Sequence, residues 1–175
     1  MTGRVLEPYQ LGPLSLRNRL VFAPITTEYA AERGEVTERL KAHYGVRARG
    51  GVGLIIVEAT YVDPVGQAFP NQLGIYDDGL IAGLRELAAT IKRHGAVAAI
   101  QLHHGGRMAR PDVSGMRPIA PSALAALVRG VPAEMSEEQI AAAVESFVRA
   151  ALRAQEAGFG AVELHGAHSY LVDNF

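Results

Sequence analysis

The amino-acid sequence predicts an α/β fold in which parallel β-strands alternate with helices. Two observations support this prediction. Short apolar runs alternate along the chain with longer stretches in which apolar residues recur at helical spacing. The apolar runs are continuous, which is typical of strands that are covered on both faces. An alternation of this kind builds a parallel sheet wrapped by helices.

Composition and charge narrow the classes of function. The 175 residues are 49% hydrophobic and 20% charged, as in a globular domain, so we expect one domain over residues 1–175. A formal charge of −1 without a basic stripe argues against nucleic acid and anionic membranes as partners. The chain has no cysteine, which excludes disulfides and thiolate metal sites and suits a cytoplasmic protein. The sequence shows neither a signal-like start nor a membrane-spanning apolar run.

A small hairpin and one strand open the predicted fold. Residues 9–11 and 14–16, joined through Gly12-Pro13, predict a β-hairpin that serves as a lid or as a plug at the base of the sheet. Residues 20–23 then predict the first buried strand. It leads into Pro24-Ile25-Thr26-Thr27 and lacks the glycine-rich turn of a dinucleotide-binding sheet, which disfavours an open, doubly wound sheet.

The first helix and the second strand follow directly. A helix over about residues 37–49 is expected to begin at the N-cap Thr37 and to end at Gly50-Gly51. The run at residues 54–59 is rich in β-branched residues and too short for a helix. It predicts a strand buried on both faces.

A second helix, a third strand and a long loop come next. Apolar residues recur at helical spacing over about residues 78–94, and Lys92-Arg93-His94-Gly95 supplies the cations and the glycine typical of a helix end. Residues 97–102 predict the third strand. The loop over residues 103–135 is far longer than most connections and rich in proline and glycine, which favours a functional role.

The third helix has the clearest signal in the sequence. Ser136-Glu137-Glu138-Gln139 forms a capping-box pattern, and apolar residues recur at helical spacing from Ile140 to Leu152, before Gly158. A fourth strand is predicted at residues 161–164 or 161–165. Four strands and three helices are half of a (β/α)8 TIM barrel, which needs eight of each in about 250 residues. We therefore expect residues 1–175 to form the N-terminal half-barrel of a larger domain.

Polar side chains gather where the predicted strands end, which is where a barrel carries its active site. The densest group is His165, His168 and Tyr170. Two imidazoles and a phenol can donate hydrogen bonds to a carbonyl oxygen as negative charge develops on it, and the phenol can deliver a proton. The two histidines could instead bind a metal or cap loop carbonyls, although two ligands without a third disfavour a metal site.

Four other groups at the strand ends have two interpretations each. Gln101 ends an apolar run, and its amide suits the edge of a heterocycle or the backbone of a loop. Arg107 can bind an anion, although an arginine that braces a long loop is commoner. His103 and His104 share this ambiguity. Residue types and spacing leave these alternatives open.

Seven short motifs follow one another along the chain: Leu-Arg-Asn-Arg-Leu at 16–20, Ala-Pro at 23–24, Arg-Gly-Gly-Val-Gly-Leu-Ile at 49–55, Glu-Ala-Thr at 58–60, Gln-Leu-His-His-Gly-Gly-Arg at 101–107, Ala-Pro-Ser at 120–122 and His-Gly-Ala-His-Ser-Tyr-Leu at 165–171. Together they resemble the Old Yellow Enzyme family, in its branch of NADH:flavin oxidoreductases and 2,4-dienoyl-CoA reductases. The resemblance covers essentially the whole chain, in order and at the family's spacing.

The resemblance implies an FMN across the barrel mouth, with NADH or NADPH as reductant and no metal. The flavin contacts that it implies are Ala23, Pro24, Ile25, Thr26, Ala59, Gln101 and His165. It also implies hydride transfer from reduced flavin to an α,β-unsaturated carbonyl. In that scheme His165 and His168 polarise the carbonyl oxygen, Tyr170 protonates the α-carbon, and Tyr29 is a further substrate contact.

The resemblance further implies that part of the site lies outside these residues, because the family binds the FMN phosphate with loops after the seventh and eighth strands. A half-barrel exposes apolar strand edges. We therefore expect it to pair with a complementary C-terminal half-barrel or with a second copy of itself, and to act on a small enone. The alternative is a half-barrel that self-associates without turnover. Among enzymes, a dienoyl-CoA, a quinone or a nitro compound could also be the electron acceptor.

Overall fold

The structure, a computed structural model, describes residues 3–125 and 130–175. In these residues the strands are β1 Tyr9–Leu11, β2 Leu14–Leu16, β3 Val21–Phe22, β4 Leu54–Tyr61, β5 Val97–His103, β6 Ile119–Ala120, β7 Ala133–Glu134 and β8 Ala161–Leu164. The helices are α1 Gly3–Leu6, α2 Glu38–Arg49, α3 Ile81–Lys92, α4 Pro111–Ser114 and α5 Glu137–Glu156. Single 3₁₀ turns lie at Pro64–Gly66, Asp78–Leu80, Gly106–Met108 and Leu171–Asn174.

The main sheet confirms the predicted α/β fold. Its four strands lie in the order β3-β4-β5-β8, and every neighbouring pair is parallel. The connections from β3 to β4, from β4 to β5 and from β5 to β8 contain α2, α3 and α5, respectively. This arrangement is a partial (β/α)8 barrel, as the count of elements in the sequence predicts.

The first strand of the main sheet is shorter than the prediction of residues 20–23. Leu20 does not enter the ladder as a donor, because its N–H is bonded to Asn18 Oδ1 at 3.1 Å. Its carbonyl oxygen still accepts from Leu54 N at 3.1 Å. The ladder ends just before Pro24, which has no N–H to donate.

The core lies between the sheet and its helices. The side chains from α2 and α3 that are fully buried against the sheet are Leu40, Tyr44, Ala48, Leu84, Leu87 and Ile91. They meet the outward-facing residues Ile55, Val57, Ile100 and Leu102 of β4 and β5. Burial of each large aliphatic side chain contributes about 1.5–3 kcal/mol, so this layer is the main source of stability.

The hairpin of β1 and β2 lies at the base of the sheet, far from the ends that carry the polar residues. Leu14 and Leu16 pack against Leu54, Val97 and Ala161, which begin β4, β5 and β8. Of the two roles that the sequence left open for the hairpin, the structure shows the plug at the base.

Two helices begin as their sequences predict. Thr37 Oγ1 accepts from Leu40 N at 3.2 Å and caps α2. At α5 the capping box is complete, with Ser136 Oγ accepting from Gln139 N at 3.3 Å and Gln139 Oε1 accepting from Ser136 N at 2.9 Å. Among the described residues, no helix is long and apolar enough to cross a membrane.

Two segments differ from the sequence-based expectation. The helix predicted over 78–94 begins as the 3₁₀ turn Asp78–Leu80, because Asp77 Oδ1 accepts from Gly79 N at 2.8 Å and holds a tighter turn. The loop predicted over 103–135 contains α4 and the parallel pair of β6 and β7. Residues 126–129 of that loop lie outside the described part of the chain.

Candidate active site

A cavity of about 550 Å³ opens at the C-terminal ends of the main-sheet strands. Seven of the predicted site residues line it: Pro24, Thr26, Ala59, Gln101, His165, His168 and Tyr170. Glu163, Leu164, Gly166 and Ala167 complete the wall. A groove of about 710 Å³ between α2 and α3 is larger, but it contains none of the predicted site residues. The smaller cavity is the candidate site, because the ends of four strands converge on it.

Three of the predicted site residues do not line the cavity. Ala23 and Ile25 are exposed on the segment that leads away from β3. Tyr29 packs against His43 of α2 with ring centroids 5.6 Å apart, and the Arg39 guanidinium lies 3.6 Å above its ring. The structure therefore places Tyr29 beside α2.

His165, His168 and Tyr170 form one aromatic cluster at the end of β8. The ring centroid of His165 lies 5.2 Å from that of His168 and 4.8 Å from that of Tyr170. A tight turn makes this possible, because His168 and Ser169 both adopt the left-handed conformation, with φ of 61° and 60°. Asp173 Oδ2 holds the turn by accepting from Ser169 N at 2.7 Å.

His165 can act as a neutral hydrogen-bond donor. Partial burial lowers its pKa, the neighbouring His168 imidazole lowers it further, and Glu163 opposes both effects. The imidazole is therefore uncharged at neutral pH and carries one ring N–H. An uncharged donor of this kind can polarise a carbonyl oxygen without repelling a second imidazole beside it.

Gln101 and Glu163 connect β5 and β8 across the cavity wall. Gln101 Nε2 donates to Glu163 Oε1 at 2.7 Å. An ionised carboxylate only accepts hydrogen bonds, so the amide nitrogen of Gln101 has to face Glu163. The amide oxygen is then the atom that remains to accept from a ligand.

His103 and His104 lie behind the cavity wall, fully buried at the end of β5. Burial lowers the pKa of His103 to about 3, and the imidazoles of His165 and His104 add to this effect. The pKa of His104 is lowered to about 4, again by burial, with Asp63 opposing. Both rings are neutral over the physiological range. Sequence alone left the roles of these two histidines open.

Glu58 is a buried carboxyl that sequence reasoning did not select. It accepts from Thr27 N at 3.1 Å, from Thr27 Oγ1 at 2.7 Å and from the Tyr44 hydroxyl at 3.1 Å. Burial raises its pKa, and these three hydrogen bonds oppose the rise. The network fastens the segment that carries Pro24 and Thr26 to β4. A charged residue inside an apolar run was the available signal.

One alternative left open by the sequence has a structural outcome. Arg107 does not line the cavity, and its backbone N–H donates to Asn174 Oδ1 at 3.1 Å, which ties the long loop to the final turn. Within residues 3–125 and 130–175, no group of three or more histidine, aspartate or glutamate side chains is placed to hold a metal ion.

Comparison with known proteins finds relatives over nearly the full length of the chain. The family model described as the NADH:flavin oxidoreductase / NADH oxidase family matches residues 4–175. An NADH:fumarate oxidoreductase of Klebsiella pneumoniae (strain 342) is 43% identical over 98% of this chain, and an NADH oxidase of Thermoanaerobacter brockii is 43% identical over 95%. The chain spans only 19% and 26% of those two proteins.

Solved structures likewise match nearly the whole of this chain and only part of their own length. Morphinone reductase superposes with a TM-score of 0.89 and 32% identity, over 95% of this chain and 49% of its own. The Old Yellow Enzyme homologue from Zymomonas mobilis gives 0.88 and 31%, over 97% and 50%. A 2-naphthoyl-CoA reductase complex reaches 0.95, but at 23% identity it supports the fold alone.

Proposed function

This chain belongs to the NADH:flavin oxidoreductase / NADH oxidase family, and we propose that it forms the substrate-binding half-barrel of an FMN-dependent ene-reductase. One observation carries the proposal. A single cavity brings the predicted flavin contacts Pro24, Thr26 and Gln101 together with the donors His165 and Tyr170. We also propose that NADH or NADPH is the reductant and that the protein is cytoplasmic.

The cavity suits an isoalloxazine ring. Its volume of about 550 Å³ lies within the range of small-molecule sites, roughly 300–1,000 Å³. Pro24, Ala59 and Leu164 give the cavity apolar wall, and the amide oxygen of Gln101 can accept from an N–H on the edge of a heterocycle. When bound, FMN would supply hydride chemistry, which protein side chains lack.

The histidine–tyrosine cluster suits reduction of a carbonyl-activated C=C bond. Such a reduction places negative charge on the carbonyl oxygen, and a ring N–H of His165 and of His168 can each donate a hydrogen bond to it. The Tyr170 hydroxyl can then give its proton to the α-carbon and recover one from water. One relative is named for fumarate, an alkene activated by carboxyl groups, which supports this substrate class.

We also propose that a C-terminal half-barrel covers the open side of this chain. The apolar side chains exposed there include Val144, Val148 and Leu152 of α5 and Val162 and Leu164 of β8. Contiguous exposed apolar surface of this kind marks an interaction site. The solved neighbours in the family contain about as much chain again beyond the matched part, which supports a half-barrel over a second copy as the occupant.

The test is to mix this chain with a C-terminal half-barrel from a family member, add FMN and follow flavin absorbance through size-exclusion chromatography. We expect a yellow 1:1 complex that reduces an enone with NADH or NADPH. A yellow homodimer would contradict the proposed occupant. A colourless complex, or a yellow one without turnover, would favour an assembly module.

A double substitution tests the roles within the site. Replacing both His165 and His168 with Ala should lower kcat by about 10²–10³-fold and leave FMN bound, because the developing oxyanion loses its donors. Arg107→Ala is the control, since Arg107 lies outside the cavity wall. Unchanged turnover in the double variant would overturn the assigned roles.

A further inference from the structure

Gln72 is a buried amide behind the cavity whose orientation is fixed by its surroundings. Its oxygen accepts from two backbone donors, Ala68 N at 2.9 Å and Phe69 N at 3.3 Å. The amide nitrogen therefore has to face the other way. It donates to Ala59 O at 2.8 Å and lies 3.1 Å from His103 Nδ1.

This orientation determines which nitrogen of His103 carries the proton. An amide nitrogen can only donate, so Nδ1 of His103 accepts and is unprotonated. A neutral imidazole has a single N–H, which must then be at Nε2. The ring stays neutral because burial lowers its pKa to about 3. His103 is thus locked in one tautomer across the working pH range.

The Nε2–H of His103 is buried without a hydrogen-bond partner among the described residues. A buried donor left unpaired costs about 1–3 kcal/mol, so native proteins keep few of them without a role. The His103 ring meets the Tyr170 ring edge to face, with centroids 4.3 Å apart and an interplanar angle of 79°. It also lies 5.5 Å from the His165 ring.

We propose that His103 is a positioning residue for Tyr170, which orients the phenol and stabilises it with an N–H dipole as its proton leaves. The proposal rests on the proposed function, in which the Tyr170 proton passes to the substrate α-carbon and water returns one to the phenolate. Phenolate charge spreads into the ring, and an adjacent N–H dipole stabilises that charge. A neutral donor does this without placing a cation beside His165 and His168.

NMR on the chain alone, without flavin, tests the proposal first. With ¹⁵N-labelled histidine we expect His103 to carry its proton on Nε2 and to show no titration between about pH 5 and pH 8. A proton on Nδ1, or titration in that range, would overturn the proposal. This measurement needs no variant, so it decides even if substitutions at this buried site prevent folding.

The functional part is tested by following the Tyr170 titration with ¹³C-labelled tyrosine. His103→Phe keeps an aromatic ring and removes the N–H, and we expect the Tyr170 midpoint to rise by about one pH unit, a tenfold weaker acid. His94→Phe, two residues beyond the last residue of α3, is the matched control and should leave the midpoint unchanged. An equal midpoint in wild type and His103→Phe would refute the positioning role.

The flavin-loaded complex separates this proposal from the proposed function. There we expect His103→Phe to lower kcat about tenfold with little change in KM, because it weakens the acid and leaves the substrate contacts in place. A wild-type complex without flavin or turnover would contradict the proposed function, while the tautomer and the Tyr170 midpoint would still decide the role of His103.

Discussion

The two middle strands of the main sheet, β4 and β5, are covered by helices, whereas its last strand, β8, is largely open. Ile55 of β4 and Ile100 of β5 are 0% exposed beneath α2 and α3. On β8, Leu164 is 61% exposed, and Leu152 of the adjacent α5 is 59% exposed. Both regions carry apolar residues in sequence, so the presence of apolar residues alone does not tell which surface is already covered. The covered region stabilises the chain, and the open one is available for another structure.

The candidate site is divided in the same way. His103 and His104 follow the covered strand β5 and are buried, whereas His165 is half-buried and His168 is exposed after the open strand β8. Of these four histidines, the two on the open side line the cavity, and the two on the covered side lie outside its wall.

The largest expected effect is on stability, when one leucine side chain on the covered side and one on the open side are each truncated to alanine. Leu87 of α3 is fully buried, and Leu87→Ala should lower the free energy of unfolding by about 2–5 kcal/mol through lost burial and a cavity. Leu152→Ala should change it by less than about 0.5 kcal/mol, because the side chain is already exposed. Urea denaturation measures both. Equal losses would show that the open side is covered in the chain alone, as in a homodimer.

Acid should destabilise the chain through the covered histidines. In the unfolded chain both imidazoles take up a proton as pH falls below about 6.5. In the folded chain they stay neutral to lower pH, because burial lowers the pKa of His103 to about 3 and that of His104 to about 4. Their contribution to stability is thus present above pH 6.5 and lost as pH falls. At pH 4.5 the loss is about 2–3 kcal/mol per histidine, since one pKa unit is worth 1.36 kcal/mol.

Denaturation by urea at pH 7 and at pH 4.5 checks this prediction. His103→Phe removes one of the two titrating rings and should roughly halve the acid-induced loss. His168→Phe is the matched control on the open side, because the His168 side chain is exposed in the folded chain. A larger change in the control than in His103→Phe would reverse the comparison.

The sequence predicted most of the fold because its signals are local. The cap at Thr37, the capping box at Ser136 and the continuous apolar runs each need only a few adjacent residues. The His165–Tyr170 cluster was predictable for the same reason, since its members lie within six residues at one strand end. Parallel strands then bring Gln101 to the same edge.

The contact between Gln72 and His103 behind the cavity was not predictable, because the two residues are distant in sequence. Gln72 meets His103 across 31 residues, and no local pattern distinguishes it from a surface glutamine. Tyr29 shows the converse case, because the sequence grouped it with the site residues and the structure places it outside the cavity wall. Glu28 adopts φ of 57° just before it, and Tyr29 lies against α2 and not in the cavity wall. Tertiary packing determined both outcomes.

The smallest expected effect compares the caps of the covered helix α2 and the open helix α5. Ser136→Ala removes one bond to Gln139 N and should cost about 1 kcal/mol, with Ser136→Thr nearly neutral. Thr37→Ala should cost more, because the Thr37 hydroxyl also donates to Tyr29 O and so holds the segment before α2. Amide hydrogen exchange should show faster exchange confined to the first turn of α5 in Ser136→Ala. Exchange that spreads through α2 and α3 would mean that the first turn of α5 is coupled to the covered core, and the division between the two sides would fail.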